Sequence, residues 1–283
     1  MARSNLSLRL LSAIFIMLPI IFLTWYNHIF AIISICMFCI TLCFELLDLE
    51  KKHNKLIYSI ISGIVLLFIF QFISIAKIKN DYYYIYSVLL VIFFVLGNTI
   101  KTKYKFSHST KNVFSVLFSN NIASYILLII NSNTDIFLYV VLISSVSDSS
   151  AFAFGKLFGK HKLAKNISPG KTIEGAIGGF ASSVIIGSTV SLLVTQLSML
   201  TIILCNFIFA FIAQLGDLVF SKIKRNRNIK DYGSILPGHG GLVDRVDSSL
   251  FLFVISYFIL IEWLKLWRIF QFWDQQDQLE LKP

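Results

Sequence analysis

Long apolar stretches separated by short polar ones set the pattern of this chain. They lie near Leu10–Thr24, Phe30–Leu47, Leu56–Ala76, Tyr83–Asn98, Val113–Ile130, Ile136–Phe154, Gly175–Val194, Met199–Val219 and Leu242–Trp263. A helix needs about 20 apolar residues to cross the hydrocarbon of a bilayer. The pattern therefore predicts an all-α, polytopic integral membrane protein of about nine transmembrane helices. The first run is short and could pair with the second as a hairpin. The fifth is interrupted by Ser119-Asn120-Asn121. The opening MARSNLSLRL resembles the charged front of a signal peptide. No small-residue cleavage site follows it and a second run comes almost at once, so a retained first span is expected. Three regions are expected: N-terminal transmembrane helices over 1–135, a catalytic transmembrane core with cytoplasmic loops over 136–264, and a tail over 265–283.

Composition supports this reading. The chain is 56% hydrophobic and 14% charged, with mean hydropathy +0.76, against about 25% charge in soluble domains. The net charge is +10. With the N-terminus taken as cytoplasmic, the inside loops and the N-terminal arm hold about 19 of the 25 Lys and Arg residues, the asymmetry expected of a membrane protein oriented by its basic loops. These residues include Lys51, Lys52, Lys55, Lys101, Lys103, Lys105, Lys111 and the basic groups of 156–171 and 222–230. Their spread over short loops argues against nucleic acid as a partner. The surplus also suits a polyanionic ligand. Cys36, Cys39, Cys43 and Cys205 sit inside apolar runs and are expected to pack as small apolar residues. The first half shows no polar constellation to which chemistry can be assigned.

Chemistry is concentrated after Val146. Asp148 falls inside or near the end of a span, where a carboxylate requires a hydrogen-bonding partner on another helix, a wet cavity or a metal. Ser168-Pro169-Gly170-Lys171-Thr172, followed by Glu174 and Gly175, precedes the next apolar run. Ser or Thr as N-cap and Glu in the first turn would start a helix there. The free N–H groups of that helix, with Lys171, would also suit a phosphate. The glycine spacing is not that of a Walker A loop.

A second group begins at Asp217, at the cytoplasmic end of a long apolar run. Gln214 and Ser221 share its helical face, and Gly216 allows close approach. The segment then carries Lys222, Lys224, Arg225, Lys230 and Asp231, the loop Pro237-Gly238-His239-Gly240-Gly241, and Asp244-Arg245-x-Asp247. Asp244 and Asp247 stand three apart and share a face. A basic cytoplasmic loop and a carboxylate-capped helix would explain parts of this. Two carboxylates after a glycine-rich loop point further. Oxygen ligands from Asp217 and Asp244 suit Mg²⁺, and lysine and arginine suit the remaining phosphate charge.

The stretch SKIKRNRNIKDYGSILPGHGGLVDRVD, residues 221–247, resembles the signature of the phosphatidate cytidylyltransferase family, also called CDP-diacylglycerol synthases. The resemblance is carried by Ser221, Lys224-Arg225, Lys230-Asp231, Gly233, Leu236-Pro237, His239-Gly240-Gly241, Asp244-Arg245 and Asp247. Gln214-x-Gly216-Asp217, the 168–175 stretch and Asp148-Ser149-Ser150-Ala151-Phe152 are also similar to the family's. Ser150 and Ile173 depart from its usual residues without touching a charged group. The match is firm from Val146 to Ser248, and the N-terminal spans match in character only.

The resemblance implies that CTP and phosphatidate give CDP-diacylglycerol and diphosphate, on the cytoplasmic side of a bacterial inner (plasma) membrane, as a step of phospholipid synthesis. It implies Mg²⁺, a second ion such as K⁺, and a homodimer. On this reading Asp217 and Asp244 hold Mg²⁺ against CTP, with Asp148, Asp231 and Asp247 supporting that ion or holding the second. Lys222, Lys224, Arg225, Lys230 and Arg245 bind phosphate groups. His239, Gly240 and Gly241 close over the phosphates. Ser168, Lys171, Thr172, Glu174 and Ser221 complete the substrate wall. A phosphomonoester is already a nucleophile at neutral pH, so no general base is assigned. A CTP-dependent polyprenol kinase is the nearest rival. An ion-coupled transporter using Asp148 and Asp217 is the rival from another class, and the lack of a sequence repeat argues against it.

Overall fold

The computed structural model describes residues 28–47, 52–76, 89–96, 98, 108–194, 198–233 and 240–263. The expected span at Leu10–Thr24 lies outside them, as do residues 83–88 and 97 of the expected span Tyr83–Asn98, His239 and the tail from 265. The described apolar runs are helices: α1 His28–Leu46, α2 Lys52–Ala76, α3 His108–Ser132, α4 Thr134–Phe158, α5 Ile173–Val194, α6 Met199–Asn226 and α7 Val243–Ser256. The last continues as a π-helix over Tyr257–Trp263. Among the described residues four helices are long and apolar enough to cross a membrane, Thr110–Ser132, Thr134–Phe158, Ile173–Leu192 and Met199–Asn226. Shorter apolar helical segments lie at Ala31–Leu46 and Asn54–Leu66.

The expected all-helical architecture holds with one addition. Residues 162–172, expected to be a cytoplasmic loop, contain an antiparallel hairpin of β1 Lys162–Ala164 and β2 Ser168–Thr172. Its strands are tied to the helices by side chains that no local periodicity reveals. Glu174 accepts from the Lys160 and His161 N–H groups at 3.1 and 3.2 Å and bonds His161 Nδ1 at 2.6 Å. Arg225 Nε donates to Ile167 O at 3.0 Å.

The interruption Ser119-Asn120-Asn121 does not break α3, because that side of the helix lies inside the bundle. Asn120 Oδ1 accepts from Ser62 Oγ at 3.2 Å and Cys39 Sγ at 3.4 Å. Such interhelical bonds are how membrane bundles hold buried polar groups. Cys39, Cys43 and Cys205 are buried and none of the four cysteines forms a disulfide. Deeper along the bundle, Tyr139 of α4 donates to Asn206 of α6 and accepts from Ser191 of α5 at 2.8 Å. Beneath the loops an aromatic cluster joins α3, α6 and α7. Phe118 lies 5.9 Å from Phe251, Phe251 lies 5.6 Å from Phe220, and Phe220 meets Tyr232 edge-on at 6.1 Å.

Two packing features place the site. Helices α4 and α5 run against each other closely, because small residues line both. A Cβ on Gly175 would meet Ala151 O at 2.6 Å, and one on Gly179 would meet Ser147 O at 2.7 Å. Helix α6 has 28 residues. At about 1.5 Å per residue it exceeds the roughly 30 Å hydrocarbon layer by about 12 Å. Its last turns, with Lys222, Lys224 and Arg225, therefore emerge from the apolar layer.

Candidate active site

A cavity of about 500 Å³ opens between α4, the hairpin, α5 and α6. Its polar lining includes Asp148, Lys156, Ser168, Lys171, Gln214 and Asp217. Its apolar lining includes Ala151, Phe152, Leu163 and Leu218. Thr172 starts α5: its Oγ1 accepts from the Gly175 N–H at 3.1 Å, the capping geometry expected of the Ser-Pro-Gly-Lys-Thr stretch. One residue earlier, at the end of β2, Lys171 reaches across the cavity and ion-pairs with Asp217 Oδ2. The α6 face is the one expected. Gln214 Nε2 donates to Ala176 O at 2.7 Å, and Ser221 Oγ lies 3.5 Å from Asp217 Oδ1. Asp148 enters from α4 and accepts from Ser248 Oγ of α7 at 2.8 Å. Ser248 is itself 2.8 Å from Ser144 Oγ.

The second cluster sits where α6 meets α7. Asp244 and Asp247 share a face and both turn to Lys224, at 2.9 and 3.8 Å. The three side chains are 12, 6 and 8% exposed, so Lys224 spends its charge on carboxylates inside the protein. Asp244 Oδ2 also accepts from the N–H groups of Tyr232 and Gly241, at 2.8 and 3.0 Å. Asp244 thus ties the loop back on itself. Gly240 has φ +86°, a conformation that favours glycine. A Cβ there would meet Asp244 Oδ2 and Asp231. Burial pushes the Tyr232 phenol up, so it remains a neutral group beneath the Lys224 ammonium, which lies 5.8 Å above its ring. Lys222, Arg225, Lys230, Asp231 and Arg245 are exposed around this cluster. Arg225 also braces the hairpin.

Residues matching the description "Cytidylyltransferase family" span 7–262. The chain belongs to the cytidylyltransferase family. The phosphatidate cytidylyltransferase of Staphylococcus haemolyticus is 36% identical over 179 residues, covering 62% of this chain and 69% of the relative. That of Staphylococcus saprophyticus is 32% identical over 221 residues, covering 77 and 85%. That of Staphylococcus aureus is 44% identical over 126 residues, covering 44 and 48%.

Nucleotidyltransferases of this kind generally use a divalent metal. Among the described residues no group of three His, Cys, Asp or Glu side chains is close enough to form a complete metal site. The carboxylates that do approach one another are Asp148, Asp217 and Asp247, which act on each other electrostatically. A cation, the Lys171 ammonium, already sits on Asp217. Sparse hard oxygen donors fit an ion that keeps several waters and takes substrate phosphate as ligand, as Mg²⁺ does. Asp244, expected to pair with Asp217, has both oxygens engaged by Lys224, Tyr232 and Gly241.

Three residues of the cytidylyltransferase went unassigned in the sequence. Glu45 of α1 is 4% exposed and accepts from the Leu242 and Val243 N–H groups, both at 2.8 Å. Arg227 donates to Leu46 O and Asn98 Oδ1, and Asn226 donates to Asn98 O, at 2.7 to 2.8 Å. The signal for Glu45 was present as a single carboxylate in the run CFELL, costly at such a place unless partnered.

Proposed function

We infer that this chain is a phosphatidate cytidylyltransferase, making CDP-diacylglycerol and diphosphate from CTP and phosphatidate on the cytoplasmic face of a bacterial plasma membrane. The observation that carries the reading is a cavity whose lining combines charged and apolar side chains. Its Lys171–Asp217 pair and adjoining Asp148 suit a phosphate-bearing head, while Phe152, Leu163 and Leu218 offer apolar contact at the end of membrane-length helices. The names of the relatives agree with it.

In the reaction a phosphate oxygen of the lipid attacks the α-phosphorus of CTP. A new P–O bond forms there, and the bond from the α-phosphorus to the bridging oxygen breaks, its electron pair leaving with diphosphate. No proton needs to be removed from a lipid phosphate ionised at pH 7, so positioning and charge neutralisation supply most of the acceleration. Two like charges 4 Å apart repel by about 4 kcal/mol at an effective dielectric near 20. Lys171 and Lys156 line the cavity and offset this, and Arg245 acts electrostatically on Asp148. Lys222 and Lys230 meet the outer phosphates. Lys224 holds Asp244 and Asp247 in place. Asp217, joined by Asp148 or Asp247, would hold Mg²⁺, which when bound neutralises the phosphate charge. Region 136–264 is the catalytic core, and the helices before it brace its loops.

The test is product analysis with purified protein, Mg²⁺, CTP and a panel of phosphatidate, diacylglycerol and polyprenol. CDP-diacylglycerol from phosphatidate alone, lost with EDTA, is expected. A phosphorylated lipid with CDP release would replace this reading with a lipid kinase.

A further inference from the structure

The signature helix α7 lacks a local cap. Its N-cap residue, Leu242, makes no side-chain capping bond, and the free N–H groups of a helix start need acceptors when buried. The acceptor comes from α1. Glu45 receives the Leu242 and Val243 N–H groups on its two carboxylate oxygens, at 2.8 Å each. A carboxylate is favoured there by the positive end of the helix as well as by the two bonds. The fit is close on the far side too: a Cβ on Gly233 would meet Glu45 Oε1 at 2.7 Å. Gly233 and Gly241 therefore leave the room that Glu45 occupies. The N–H groups of Gly241, Leu242 and Val243 all go to carboxylates, the first to Asp244 and the others to Glu45.

We propose that Glu45 is a positioning residue of the active site, fixing the start of α7 and with it the aim of Asp244, Arg245 and Asp247. The proposal rests on the cytidylyltransferase reading for the role of that helix, and it assigns a task to the N-terminal helices beyond anchoring. A residue that orients ligands from behind typically changes metal affinity or activity by about 10–100-fold when altered. Glu45→Gln keeps the shape but sets an amide N–H against one of the two backbone donors.

Full-length enzyme in detergent is compared as wild type, Glu45→Gln, Gly233→Ala and Asn98→Ala. The last removes the side-chain acceptor of Arg227 while keeping the main-chain acceptor of Asn226, and it does not touch α7. Turnover, the Mg²⁺ concentration for half-maximal rate, Mg²⁺-dependent CTP binding and melting temperature are read for each. Glu45→Gln and Gly233→Ala are expected to lower kcat about 10–100-fold and to raise the Mg²⁺ requirement. Asn98→Ala is expected to lower the melting temperature with an unchanged Mg²⁺ requirement. Folded Glu45→Gln with wild-type kcat and Mg²⁺ requirement overturns the proposal. So does a Glu45→Gln profile matching that of Asn98→Ala, since a merely structural contact would make the two alike. CTP binding keeps the questions separate. A wild type that binds CTP with Mg²⁺ but makes no CDP-diacylglycerol overturns the lipid reading, and the binding data still decide on Glu45.

Discussion

Replacing Lys224 with Met keeps the apolar stem of the side chain and removes its charge. Two carboxylates then remain in a nearly closed space, Asp244 at 6% and Asp247 at 8% exposure. At 2.9 and 3.8 Å the two attractions amount to about 6 and 4 kcal/mol at an effective dielectric near 20. Most of that is offset by the cost of taking all three charges out of water. What a substitution reveals is the uncompensated residue, about 3–5 kcal/mol for a broken buried pair. For a chain of this size each kcal/mol shifts the melting temperature by about 2–4 °C. Lys224→Met should therefore melt roughly 6–20 °C below wild type in the same detergent. Adding Asp244→Asn should recover part of the loss, because the amide oxygen still accepts from Tyr232 and Gly241 while one buried charge is gone. A Lys224→Met protein melting within about 2 °C of wild type would refute the reasoning. Lys224 would then be a cation directed at substrate, as its place in the signature first suggests.

Two further outcomes separate the site from its scaffold. Gly179→Ala puts a methyl 2.7 Å from Ser147 O, between the two helices that wall the cavity. Overpacking of this kind costs about 1–3 kcal/mol, and turnover should fall along with melting temperature; unchanged values for both would show that the α4–α5 contact is looser than described. Tyr139→Phe removes the hydroxyl shared by Asn206 and Ser191, away from the cavity lining. It should lower stability by about 1 kcal/mol and leave the KM for CTP within about twofold; a large KM change would mean that this polar layer communicates with the site.

The helical frame was legible because membrane spans announce themselves by length and hydropathy, and α1 to α6 follow the apolar runs closely. The cation and carboxylate inventory was legible too, since Lys171, Asp217, Lys224, Asp244 and Asp247 stand out against apolar sequence. Their partnerships were not. Lys224 reads as a phosphate ligand until the rotation of α6 turns it toward α7. Asp217 and Asp244 read as a pair, yet Asp217 faces Lys171 across the cavity while Asp244 folds onto its own loop. The hairpin at 162–172 was hidden because its stability comes from Glu174 and Arg225, outside its strands. Glu45 was hidden because its partners lie almost 200 residues away, a distance at which no periodicity helps.

The most direct test follows the α-phosphorus. Wild type and Asp217→Asn are given phosphatidate, Mg²⁺ and CTP labelled at either the α- or the γ-phosphate. The account predicts that α-label enters the lipid, that γ-label leaves as diphosphate, and that Asp217→Asn, folded and in the membrane, loses at least about 100-fold of the transfer. Entry of γ-label into lipid, or near-normal transfer by Asp217→Asn, would contradict it.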